Sequence, residues 1–129
     1  MELGKEFSRN FVVDRNIYLG FIDLFNDNNP LHTVDEFAKK HGFSEKVMFG
    51  NILNGFISFF IGECLPIKNV AILSQTIDYK NPVYLNDKLD FQAKITNIVE
   101  AVNVVEFKFR FINQNKINVA KGNIQIKIL

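Results

Sequence analysis

Gly50-Asn51-Ile52-Leu53-Asn54-Gly55-Phe56-Ile57-Ser58-Phe59-Phe60-Ile61-Gly62-Glu63-Cys64-Leu65-Pro66 decides how the rest of the chain must be arranged. Gly50 opens a helix, Pro66 ends it, and apolar side chains cover most of the surface between them. A helix of that kind is wrapped by other structure. Asn54, Gly55, Ser58, Gly62 and Glu63 interrupt the run, which is shorter than the roughly 20 apolar residues of a membrane span. The stretch therefore reads as the core helix of a protein with no membrane partner.

Downstream of this helix the hydrophobic period changes from helical to two. Segments near 70–79, 88–99, 102–112 and 117–128 are rich in β-branched and aromatic residues and read as strands. Asn86-Asp87 suits positive φ, Asn113-Gln114-Asn115 suits a hairpin loop, and Pro82 fits only a strand end or edge. Upstream, alternate Phe7, Arg9, Phe11 and Val13 suggest a first strand. Asp14 is placed to cap a helix from Arg15 to about Phe25, and the polar run from Asn26 to Pro30 stops it. Thr33 and Glu36 have the spacing of a capping box for a second short helix, with Val34, Phe37 and Ala38 facing inward. Gly42 suits the left-handed position past its end, beside His41 as a terminal residue. A mostly antiparallel sheet around one helix is an α+β architecture.

The chain of 129 residues fits a single domain spanning 1–129, and 47% hydrophobic with 22% charged residues describes a chain that buries a core without staples. A formal net charge of +1 offers no general attraction to phosphate backbones, so nucleic acid is not expected as a partner. Cys64 is the single cysteine, which excludes an internal disulfide and points to the reducing cytoplasm. The first residues carry acid and no apolar run of export-signal length. Two histidines nine positions apart and a lone thiol show no zinc-ligand spacing, so no metal is predicted.

The segment with the most chemistry is Asp27-Asn28-Asn29-Pro30-Leu31-His32. A carboxylate and an imidazole across a proline-stiffened turn can approach one point, where the acid removes a proton from water and the imidazole holds that water. Alone, the same residues make an ordinary Asx-type turn with a surface histidine. Their surroundings add to them. The segment resembles the D-x-N-P-x-H signature of the (R)-specific enoyl-CoA hydratases and the wider MaoC-like dehydratases. Phe21 and Leu24 before it, Ala38 after it, Val47-Met48-Phe49-Gly50, and Tyr79-Lys80-Asn81-Pro82-Val83-Tyr84-Leu85-Asn86-Asp87 also fall where that pattern places them.

The resemblance implies the hotdog fold, a curved antiparallel sheet wrapped round one long central helix, and a homodimer. It implies that Asp27 and His32 activate one water while the backbone N–H of Gly50 receives negative charge on a thioester oxygen. Helix-terminus physics supports that role for Gly50. Asn29 and Pro30 are expected to brace the loop. The substrate implied is an acyl thioester of coenzyme A or of acyl carrier protein, with no cofactor. The chain departs from the pattern at Phe25-Asn26, where a small Ser-Gly pair is common, and at Phe49, where His is common. Phe25 and Phe49 are thereby candidates for a narrowed acyl pocket. Two other readings stay open: a hotdog thioesterase using Glu63, and a catalytically silent acyl-thioester binding module.

Overall fold

The computed structural model describes residues 1–129. In chain order the elements are β1 (Glu6–Val12), α1 (Arg15–Phe25), α2 (Pro30–Thr33), α3 (Asp35–Lys40), α4 (Asn51–Phe59), β2 (Val70–Tyr79), β3 (Lys88–Val99), β4 (Val104–Ile112) and β5 (Asn118–Ile128). The strands form one antiparallel sheet in the order β1-β3-β4-β5-β2. Strands β1 and β2 are its edges.

Period-two patterning gives the sheet one apolar face. Leu89, Phe91, Ala93 and Ile95 of β3, Val105, Phe107, Phe109 and Phe111 of β4, and Ile124 and Ile126 of β5 are buried. Against them lie Ile52, Leu53, Phe56 and Ile57 of α4. Phe60 packs on Phe91 at 4.9 Å between ring centroids and meets Phe7 edge-on at 5.5 Å. Each such ring contributes roughly 1.5–3 kcal/mol by burial, so helix and sheet hold one another in place. Gly122 marks the tightest contact. A Cβ there would be driven into the Thr76 carbonyl oxygen and the Phe109 ring, so only glycine lets β5 lie this close to β2.

The core helix is α-helical to Phe59 and closes in a π turn over Phe60–Cys64. Leu65 is then extended, as the residue before a proline should be. Asp14 caps α1 by accepting the Ile17 N–H at 2.9 Å, and Gly42 takes φ 91° beyond α3, both as predicted. The expected capping box does not form. The Thr33 hydroxyl donates back to the Asn29 carbonyl, closing α2, and α3 begins without a side-chain cap. Of its three predicted inward residues only Ala38 is buried; Val34 and Phe37 remain exposed. The third strand of the predicted four starts at Val104 and not at Val102, because Glu100–Val102 form a 3-10 turn that ends on Asn103 with φ 56°.

Candidate active site

Helix α1 stops where Asn26 turns left-handed, at φ 53°. From there each polar residue fixes the next. The Asp27 carboxylate accepts the Asn29 N–H at 3.1 Å, the Asn29 side-chain oxygen accepts the Leu31 N–H at 2.9 Å, and Pro30 occupies the first turn of α2. Asn29 is thus the cap of α2, and Pro30 has the fixed φ suited to that position. Together they deliver His32.

His32 is held from three sides. Its Nδ1 lies 2.7 Å from the Val47 carbonyl oxygen. A carbonyl only accepts, so Nδ1 carries a proton, and in the neutral imidazole Nε2 is the nitrogen left to accept. The Tyr18 hydroxyl donates to the His32 backbone carbonyl at 2.6 Å. Burial, with the Asp35 charge nearby, pushes the Tyr18 hydroxyl above its ordinary pKa and keeps this donor protonated. The imidazole rests on the Phe49 ring at 4.4 Å, and Phe49 in turn stacks on Phe21 at 4.5 Å.

His32 opens on a cleft of about 520 Å³ whose walls include Phe49, Gly50, Asn51 and Tyr79. The N–H of Gly50, a lining residue just before the first residue of α4, makes no hydrogen bond within the protein. Tyr79 lies against the α-carbon of Gly50: a Cβ there would stand 2.8 Å from the tyrosine Cε1 and Cζ. A side chain at position 50 would have to displace the tyrosine ring.

Asp27 faces a different cavity, a groove of about 1020 Å³ between α1 and α4 walled by Phe21, Leu24, Phe25 and Phe56. Asn51 lines both cavities. Asp27 and His32 make no hydrogen bond to each other, and they line separate cavities that share Asn51 at the start of α4. The two phenylalanines also separate. Phe25 is 66% exposed and lines the groove; Phe49 is 4% exposed and serves as the bed for His32. Glu63 lies at the far end of the core helix, 3.6 Å from the Lys68 ammonium, and lines neither cavity. Tyr18, Val47 and Tyr79 were not singled out as site residues from sequence. Val47 and Tyr79 stood inside recognisable segments, but their contacts join residues 15 and 29 positions away, respectively, and no local pattern encodes such contacts.

Comparison with known proteins supplies a second line of argument. Residues 6–116 match the family described as the MaoC like domain. The (R)-specific enoyl-CoA hydratase of Aeromonas caviae is 27% identical over 108 residues, which cover 84% of this chain and 81% of that protein. The 3-hydroxybutyryl-CoA dehydratase of Methylorubrum extorquens is 29% identical over 97 residues, covering 75% of this chain but 58% of that protein, so this chain spans little more than half of that relative. The solved structure of the A. caviae (R)-hydratase superposes with a TM-score of 0.90 over 100% of this chain and 98% of that one, at 24% identity. That superposition identifies the architecture as the hotdog fold.

Proposed function

The chain belongs to the MaoC-like domain family, and from that premise we propose that it is a hydro-lyase acting on acyl thioesters. It adds water to a trans-2-enoyl thioester, or removes water from the (R)-3-hydroxyacyl thioester. The observation that carries this reading is the pairing of a tautomer-locked His32 with the unpaired Gly50 N–H in one cleft.

In the proposed chemistry the thioester oxygen accepts the Gly50 N–H, at the positive end of α4. Asp27 must reach past Asn51, which lines both cavities, and take a proton from a water that His32 Nε2 holds by accepting its other O–H. The water oxygen bonds to C3, the C2–C3 π electrons move toward the thioester oxygen, and the enolate collapses as C2 takes up the proton. One H and one OH are added, with no change of oxidation state. The proposal therefore requires no cofactor or metal. The thioesterase reading loses its base, since Glu63 pairs with Lys68 and lines neither cavity.

The test is loss of crotonyl-CoA absorbance with free thiol followed in parallel. Hydration without thiol release supports the reading. Thiol release would favour thioester hydrolysis, and binding with neither change would leave a silent module.

The wider proposal is a cytoplasmic homodimer acting on acyl-CoA or acyl carrier protein substrates, without nucleic acid or membrane partners. No helix is long and apolar enough to cross a membrane. The dimer is supported by edge strand β2, whose Ile72 and Leu73 are 40% and 51% exposed. Sedimentation giving a monomer at micromolar concentration would count against it.

A further inference from the structure

Tyr79 has a chemical opportunity that the hydration reading does not use. Its hydroxyl oxygen would stand 3.2 Å from a Cβ on Gly50. Standard bond lengths put a Cβ about 2.5 Å from its own backbone nitrogen, so the hydroxyl oxygen and the Gly50 nitrogen are less than about 6 Å apart. That separation leaves room for one oxygen atom about 3 Å from each.

The hydroxyl is also prepared to donate. Asn54 Nδ2 donates to it at 3.3 Å and to Asn51 Oδ1 at 2.8 Å, while the Asn54 side-chain oxygen accepts from Gln75 Nε2. The Asn54 amide is thereby oriented by three partners, and it meets Tyr79 as a donor. The tyrosine oxygen is left as acceptor toward Asn54, and its own proton has no acceptor within the protein. Partial burial of the half-exposed Tyr79 side chain raises its pKa, against a smaller lowering by Asn54, so the hydroxyl stays protonated at working pH.

We propose that the Tyr79 hydroxyl is a second hydrogen-bond donor to the thioester oxygen, completing with the Gly50 N–H a two-donor oxyanion site. This inference rests on the hydration reading for its chemistry, but its geometry needs only a thioester bound in the cleft. A side-chain donor fixed by Asn54 also places the thioester plane, because the oxygen must meet both donors at once.

The test is Tyr79→Phe, which keeps the ring against Gly50 and removes only the oxygen. Loss of one oxyanion donor should lower kcat/KM for crotonyl-CoA by about 10²-fold or more, with the melting temperature retained. A direct readout uses crotonyl-CoA labelled with carbon-13 at the carbonyl, bound to Asp27→Asn, in which turnover is slowed enough to record the bound substrate. The labelled carbonyl stretch should lie at higher wavenumber in Tyr79→Phe/Asp27→Asn than in Asp27→Asn alone. An unchanged stretch with binding intact, or a kcat/KM within threefold of wild type, would overturn the role of the hydroxyl. If wild type binds crotonyl-CoA without hydrating it, the hydration reading fails while the stretch still decides the donor. Absence of binding overturns both.

Discussion

The two ends of the Asp27–His32 segment are built differently. His32 is immobilised by the Val47 carbonyl, the Tyr18 hydroxyl and the Phe49 ring. Asp27 is exposed, and its carboxylate holds only the Asn29 N–H, two residues along its own loop. Pre-organisation is thus unevenly divided across a short motif. The imidazole must present one particular nitrogen, so the fold fixes its tautomer; a carboxylate has two equivalent oxygens and tolerates a looser mount. The groove beside Asp27 is walled by exposed Leu24 and Phe25, apolar surface that a bound substrate or a second subunit would dry. Drying strengthens the interaction of a carboxylate with its partners.

The largest expected effect tests whether the two ends share one function. Asp27→Asn and His32→Ala should each lower turnover by about 10²–10⁴-fold, as loss of a general base or its partner does. Their stabilities should differ. Asp27→Asn should leave thermal unfolding nearly unchanged, whereas His32→Ala vacates the Val47 carbonyl and the Phe49 face and should lower the melting temperature. Equal melting temperatures would dissolve the contrast, and near wild-type turnover in both would remove the pair from the mechanism.

Next in size is the bed of His32. Phe49→Ala should destabilise by about 3–5 kcal/mol, the range for deleting a buried ring, measured by urea unfolding. The matching change at the other end, Phe25→Ala, should cost about 0.5 kcal/mol or less because that ring already meets solvent. Specificity constants for four-, six- and eight-carbon enoyl thioesters then decide whether Phe25 walls the acyl chain: a profile unchanged in Phe25→Ala would show that it does not.

A smaller effect is expected at Tyr18. Tyr18→Phe removes the 2.6 Å hydrogen bond to the His32 carbonyl and should cost about 1 kcal/mol of stability. Turnover should fall severalfold, since the imidazole keeps its Val47 contact. A loss as large as that of His32→Ala would mean that Tyr18, and not Val47, sets the ring.

These contacts also mark what was legible in the sequence. Asp14, Gly42, Asn86 and Pro66 act within a few residues of themselves, and each did what its local chemistry dictates. Asn29 was legible as a brace for the same reason. Local rules failed where two were in competition: Thr33 could cap forward or close the preceding turn, and its hydroxyl went to the Asn29 carbonyl. The pairings of His32 with Val47 and Gly50 with Tyr79 depend on how the loop before α4 and the end of β2 are brought together by the sheet. Single-residue patterns carry no trace of that. Phe49 lines the cleft, but the packing of its ring on Phe21 and Tyr18, a direction set by tertiary structure, was not legible locally.

The smallest effect separates the two ends by pH. Asp35 accepts the Lys46 N–H at 2.9 Å, one residue before the Val47 carbonyl that fixes His32. That N–H, with the Lys46 and Lys39 ammonium groups, holds the Asp35 carboxyl below its ordinary value of 3.8. A carboxylate whose folded pKa is depressed contributes stability that is fully present above the unfolded value and is lost as pH falls through the folded one. The wild type should therefore exceed Asp35→Asn in urea midpoint at neutral pH by a modest margin, because the pair is exposed and screened. That margin should close as the pH drops below 3.8. His32 should follow it: its Nδ1–H resonance, sharp while Val47 is held, should exchange faster with water in Asp35→Asn at neutral pH. A margin that stays constant down to about pH 2 would show that Asp35 supports the loop without its charge. A wild-type Nδ1–H exchange rate matched by the variant would detach the Asp35 contact from the histidine altogether.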